Sequence, residues 1–201
     1  KTLAEISAQL KDPLSPCDRA VLTSRAPISL VAGCWLDRVS QPATEPALLV
    51  SLLTAHRFAI LGKGVVAAGQ EASRIRVMEG AGVYLPDVRS SDFVTSCDSP
   101  TTVVQTAAFY LALSRWPASF LPEVLGVHYA HYCLAVDDQL LGSQPFLHQD
   151  LLDKLVMSVF DAAAQNANGI QEIDRFLLGV YTCVQLEERS LNVLLHQMRS
   201  K

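Results

Sequence analysis

Charge is scarce in this chain. Only 18% of its 201 residues are Asp, Glu, Lys or Arg, while 50% are hydrophobic, so it has ample apolar surface to bury and is not disordered. With a net charge of -4 and neither a Lys/Arg cluster nor an interleaved aromatic ladder, it lacks the basic face that nucleic-acid phosphates require. Paired cysteines are missing too: Cys17, Cys34, Cys97, Cys133 and Cys183 are scattered, odd in number and without a CxxC spacing. That pattern excludes a disulfide framework and points to a reducing, cytoplasmic setting. Long apolar runs are also absent. The longest, Phe146 to Ala164, is interrupted by His148, Asp150, Asp153 and Lys154, so no membrane span is expected. The first residue is Lys1 rather than Met, and no charged-then-apolar leader follows it, so no signal peptide is expected.

Period-two alternation of β-branched residues, internal repeats and low-complexity tracts are likewise lacking; what remains is helical periodicity. Leu3, Ile6 and Leu10 form a short helical stripe that Pro13 and Pro16 stop. A second helix is expected from Cys17 to Val39, with Leu30, Val31, Cys34 and Trp35 on one face. Pro42 and Pro46 interrupt the chain before a helix from Ala47 to Leu61. Further helices are expected from Ala67 to Met78, Thr101 to Arg115, Pro122 to Leu141, Leu147 to Asn166 and Ile170 to Gln197, with Pro117 in the break before Pro122 and a polar loop over Pro86 to Pro100. The expected architecture is one all-α domain, residues 1–201, forming a bundle of about seven helices.

Two stretches carry a family resemblance. One is Gly33-Cys34-Trp35-Leu36-Asp37-Arg38-Val39, followed by Leu61-Gly62-Lys63-Gly64 and Tyr84-Leu85-Pro86; the other is Phe120-Leu121-Pro122-Glu123-Val124-Leu125-Gly126. Together, over roughly Pro16 to Leu134, they resemble the iron-containing redox enzymes of the heme-oxygenase-like di-iron oxidase group. The resemblance implies a heme-oxygenase-like bundle whose interior holds two irons among carboxylates and histidines, and oxidase or oxygenase chemistry on small organic molecules.

The ligands that this resemblance implies are mostly replaced. Ile60 stands where the family has a glutamate before the Leu-Gly-x-Gly turn, and Glu71 is nearest to an expected histidine beyond it. Tyr132, with His131 beside it, stands where the helix after Pro-Glu-Val-Leu-Gly should offer a glutamate. Of the later ligand set only His148 is present, with Asp150 and Asp153 at unsuitable spacings. An altered set would have to draw on Glu71, His148 and the pair His128 and His131, which are three apart and so share a helical face. Other residues have plain structural readings. Glu123 suits a helix start, Trp35 the core, Gly62-Lys63-Gly64 a turn, and Glu187-Glu188-Arg189 a solvated helix face.

Three functions follow. The favoured expectation is a biosynthetic enzyme that kept the bundle cavity without the metal and promotes a cyclisation, rearrangement or elimination of a hydrophobic small molecule. Its acid–base groups would come from His128, His131, Tyr132 and Glu71, and its substrate contacts from Trp35, Ile60, Tyr129 and His148. No cofactor is expected on this reading. The alternatives are an iron-dependent oxidase with altered ligands, which requires Glu71, His128, His131 and His148 to converge, and a non-catalytic partner subunit with a filled interior. Bundles of this type often pair through helix faces, so a homodimer is the oligomer to look for.

Overall fold

The computed structural model describes residues 16–39, 46–116 and 119–199, with side chains from Arg19 onward. The expected stripe at Leu3 to Lys11, and the breaks at Pro42 and Pro117, lie outside these residues. The described residues form helices and turns without a strand, as expected of an all-α chain. In order they are α1 (Pro16–Val31), a 3-10 turn (Cys34–Leu36), α2 (Ala47–Ile60), a 3-10 turn (Val66–Ala68), α3 (Gln70–Gly80), α4 (Phe93–Cys97), α5 (Thr101–Leu113), α6 (Leu121–Leu134), α7 (Val136–Leu140), α8 (Gln149–Ala164) and α9 (Gly169–Arg199).

The closest pairing is between α6 and α9, and two glycines permit it. A Cβ on Gly126 would run into the Phe176 carbonyl oxygen, and one on Gly179 into that of Glu123, so the backbones touch where any side chain would hold them apart. Around this pair α1 packs on α3 and α5, α2 on α8, and α8 on both α6 and α9. The main core joins Trp35, Leu53, Tyr110, Val124, Leu155 and Cys183. A second cluster, including Leu22, Met78, Phe93 and Cys97, sits between α1, α3 and α4.

Three boundaries depart from the sequence reading, each for a local reason. The helix expected over Cys17 to Val39 ends at Val31, because Gly33 turns to φ 89° and starts the 3-10 turn. Trp35 therefore reaches the core from a turn, not along a stripe with Leu30 and Val31. In the supposed loop over Pro86 to Pro100, α4 forms because Phe93 and Cys97, four apart, bury together. The helix expected from Pro122 to Leu141 breaks at Ala135, which takes left-handed angles (φ 44°, ψ 38°). That break re-aims the chain so that Asp137 and Asp138 are both buried.

Candidate functional site

Polar groups crowd the centre of the bundle. Arg25 projects from α1 and spends three nitrogens on three oxygens: Nε donates to Asp137 Oδ1 at 2.9 Å, Nη1 to Ser190 Oγ at 2.8 Å and Nη2 to Glu187 Oε2 at 2.5 Å. Arg74, from α3, donates through Nη1 to the Ser29 carbonyl at 2.5 Å and through Nη2 to Asp138 Oδ1 at 3.4 Å. Asp138 Oδ2 accepts the Phe146 backbone N–H at 3.1 Å. On the far side of Glu187, Oε1 accepts the Tyr110 hydroxyl at 2.9 Å and lies 3.4 Å from His131 Nδ1. The other nitrogen of that ring, Nε2, is 4.0 Å from Asp137 Oδ2. All of these side chains are buried.

The network sets the charge state of its members. Burial alone would raise the Asp137 pKa, but the guanidiniums of Arg25 and Arg74 outweigh it and hold the carboxyl down at about 2. Glu187 follows the same logic: burial pushes up, and Arg25 and His131 bring its pKa below the ordinary value. Burial also opposes the Arg25 charge, and the Asp137 and Glu187 carboxylates more than restore it. Burial and the Glu187 charge push the Tyr110 phenol well up and the Cys183 thiol to about 12, so both stay protonated at neutral pH.

Beside this lies a directional relay. Trp35 Nε1 can only donate, and it donates to His128 Nδ1 at 3.2 Å. Neutral His128 must then carry its proton on Nε2, which faces His56 Nδ1 at 2.9 Å. His56 in turn carries its proton on Nε2, buried near the Leu151 backbone but outside hydrogen-bonding geometry. Burial, then the neighbouring His56 and His131, lowers the His128 pKa well below its ordinary value; burial lowers that of His56. Rings fill the space between relay and network. Trp35 meets Tyr110 at 4.7 Å and His131 at 5.2 Å between centroids, and Tyr132 meets His128 at 4.9 Å.

The residues expected from the sequence are thus divided. His128, His131 and Tyr132 meet at the centre, with Trp35 and Ile60 buried around them. His128 and His131 do not form a chelating pair: one bonds Trp35 and His56, the other faces Glu187 and Asp137. The Tyr132 hydroxyl donates to Gln70 Oε1 at 2.8 Å, and burial raises its pKa. Glu71 is on the outer surface of α3, paired with Arg89, and His148 is exposed where α8 begins. Tyr129 is half-buried against Phe176, with a pKa raised by its hydrogen bond to Cys133. The convergence of Glu71, His128, His131 and His148 that an altered iron site requires is not formed.

Glu187 needs the clearest correction. The Glu187-Glu188-Arg189 run is not one solvated face, since Glu187 is 2% exposed while Glu188 and Arg189 are exposed. On α9 it shares a face with Cys183, Ser190 and Leu194, all buried, and a helix cannot turn one residue of that face outward. Arg25, Arg74, His56, Tyr110, Asp137 and Asp138 were also missed. For Arg25 a signal existed: it lies on the same side of α1 as Leu22, Ala26 and Ser29.

A di-iron centre does not fit these residues. One group of possible donors is close: His131, Cys183 and Glu187 each place an atom within 4.8 Å of the others. Both oxygens of Glu187 are already bonded, however, and the Arg25 guanidinium stands against one of them. A further cation there would face a fixed positive charge.

Comparison with protein-family models, curated proteins and solved structures finds no match for this chain. The family resemblance therefore rests on the quoted segments alone.

With the centre packed, a large concavity among the described residues lies elsewhere. A cleft of about 850 Å³ opens between the starts of α2 and α6 and the adjoining ends of α8 and α9. Leu48, Leu49, Leu121, Leu125 and Val159 make its apolar wall, and Asp161, Gln165, Asn166, Glu172 and Arg175 its polar edge. Arg175 is engaged: Nε and Nη2 hold the two Glu123 oxygens at 2.6 and 2.8 Å. Among the described residues, no helix is long and apolar enough to cross a membrane.

Proposed function

We propose that this chain is a small-molecule-binding helical domain on a heme-oxygenase-like scaffold, and that its ligand is a hydrophobic amine held in the cleft between α2, α6, α8 and α9. The observation that carries this reading is the cleft itself. Its volume lies within the range typical of ligand sites, and its apolar wall faces a short polar edge, the arrangement that buries a hydrophobic body and orients one polar end. Charge selects the end group. Asp161 and Glu172 face the cleft, while the positive charge of Arg175 is offset by Glu123, so an ammonium is favoured over a carboxylate. The scaffold reading draws support from the all-helical order and from where the quoted segments fall. Gly33–Val39 forms the turn that delivers Trp35, and Phe120–Gly126 opens the central helix α6.

Turnover is the second reading, favoured by one observation: Asp161 and Glu172 are two carboxylates on one edge of the cleft. A metal-independent isomerisation or elimination would then draw its acid and base from this pair, because His128, His131 and Tyr132 are sealed in the core.

Titration calorimetry with octylamine, octanol and octanoate tests the binding reading. Octylamine should bind more tightly than octanoate by roughly tenfold, about 1.4 kcal/mol, with the preference falling as salt rises. Leu125→Trp, which fills the cleft, should abolish binding, and Asp161→Asn with Glu172→Gln should erase the preference. Absence of binding by all three compounds, or a preference for octanoate, would overturn it.

A further inference from the structure

We propose that the outward face of α9, widened by Met157 and Phe160 of α8, docks a second copy of this chain, the two α9 helices packing antiparallel across a two-fold axis beside Tyr181. This face is a different one from that which turns Glu172 and Arg175 to the cleft, so the inference is independent of the cleft reading.

α9 carries two stripes at helical spacing, where a surface helix needs one. The first, Phe176, Gly179, Cys183, Glu187, Ser190 and Leu194, is buried and faces the bundle. The second, Ile170, Ile173, Leu177, Tyr181 and Val184, is wholly apolar apart from one phenol hydroxyl and is exposed except for half-buried Ile173. Leu178 lies exposed beside it. The patch continues onto α8. Phe160 meets Phe176 at 6.5 Å between ring centroids, and Met157, three residues earlier on α8, is exposed as well.

Area sets the size of the partner. The exposed side chains of this patch range from 37% (Val184) to 82% (Ile170) exposed. At about 200 Å² for each large side chain, they present roughly 800 Å² of mostly apolar surface between them. A monomer seldom leaves more than about 300–600 Å² in one patch, and a stable dimer takes about 800 Å² from each partner.

Charge selects the occupant and its direction. Asp174 and Glu188, both exposed beside the stripe, oppose an anionic lipid surface. Arg189 is exposed too and stands fifteen residues beyond Asp174, about 22 Å along the helix. Their midpoint falls beside Tyr181. A two-fold axis there sets each Asp174 opposite the partner's Arg189, once at either end of the apolar stripe. A parallel pairing would instead bring like charges together.

Sedimentation velocity of the full chain over a dilution series is the test. Wild type should sediment at twice the chain's mass at the higher concentrations. Leu177→Glu combined with Tyr181→Glu should be monomeric with an unchanged far-UV circular dichroism spectrum. Val66→Glu, at an exposed apolar residue of the second 3-10 turn, should leave the dimer intact. Asp174→Arg and Arg189→Asp should each weaken self-association by roughly tenfold or more, since each sets like charges opposite one another, and an equimolar mixture of the two should recover the wild-type affinity. A monomeric wild type, or a dimer that survives Leu177→Glu with Tyr181→Glu, would overturn the proposal. So would loss of the dimer in Val66→Glu, or a mixture that associates no more tightly than either charge variant alone. Should the double glutamate variant not fold, the charge-reversal pair decides.

Discussion

Acidification to pH 5 should destabilise this protein through His56 and His128, well before its buried carboxylates respond. Both rings are held neutral in the fold, with pKa values lowered by burial, while in the unfolded chain a histidine titrates near 6.5. Below pH 6.5 the unfolded state therefore binds more protons than the native state. The stability these rings contribute is complete above that pH and is lost as pH falls through it. One proton per ring changes stability by about 1.4 kcal/mol per pH unit, so from pH 6.5 to 5.0 the two together remove up to about 4 kcal/mol. That is a large share of the 5–15 kcal/mol expected for a domain. The assay is urea unfolding by far-UV circular dichroism at pH 7.5, 6.5, 5.5 and 5.0. It is run on wild type and on His56→Gln combined with His128→Gln, which leaves nothing in the relay to protonate. Wild type should weaken steeply below pH 6.5, and the double variant should show a much shallower dependence. The carboxylates do not confuse the result. Asp137, held at about 2, and Glu187, also lowered, contribute stability that is full above their unfolded values near pH 4 and is lost only as pH falls below them. Equal wild-type stability at pH 7 and pH 5, or an undiminished slope in the double variant, would refute the assignment of two neutral, mutually bonded imidazoles.

Glu187→Gln should cost about 3–5 kcal/mol in urea unfolding, because it breaks a buried ion pair and leaves Arg25 undercompensated, whereas Glu188→Gln on the exposed face should stay within about 0.5 kcal/mol. Gly126→Ala and Gly179→Ala should each cost about 3 kcal/mol or more, since the added methyl meets backbone carbonyl and not a yielding side chain; a melting temperature unchanged by either would refute the close α6–α9 contact.

Much of the helical order was legible because it depends on local rules. Pro46 and Pro100 stand immediately before α2 and α5, Pro122 opens α6, and the Asn-Ala-Asn-Gly stretch separates α8 from α9, all features that a proline or glycine imposes whatever surrounds it. Trp35 was legible as core for a similar reason: its size and apolar surface favour burial, and it is fully buried. The breaks at Gly33 and Ala135 were not legible. Alanine has no local preference for left-handed angles, and Ala135 adopts them only because the packed fold compensates the strain.

The central network was the least legible part. A charged residue in a helix gives no local sign of being buried, since the cost is met only by a partner distant in sequence. Arg25 finds Asp137 and Glu187 more than a hundred residues away, and His128 finds Trp35 and His56 on two other elements. Conversely Glu71 and His148, chosen from position in a resemblance, face outward because their helices bury other sides. The sequence by itself determined that this chain is helical and apolar enough to close a core. Tertiary structure decided which charges that core accepts, because desolvation is balanced only when opposite charges from separate helices arrive at the same place.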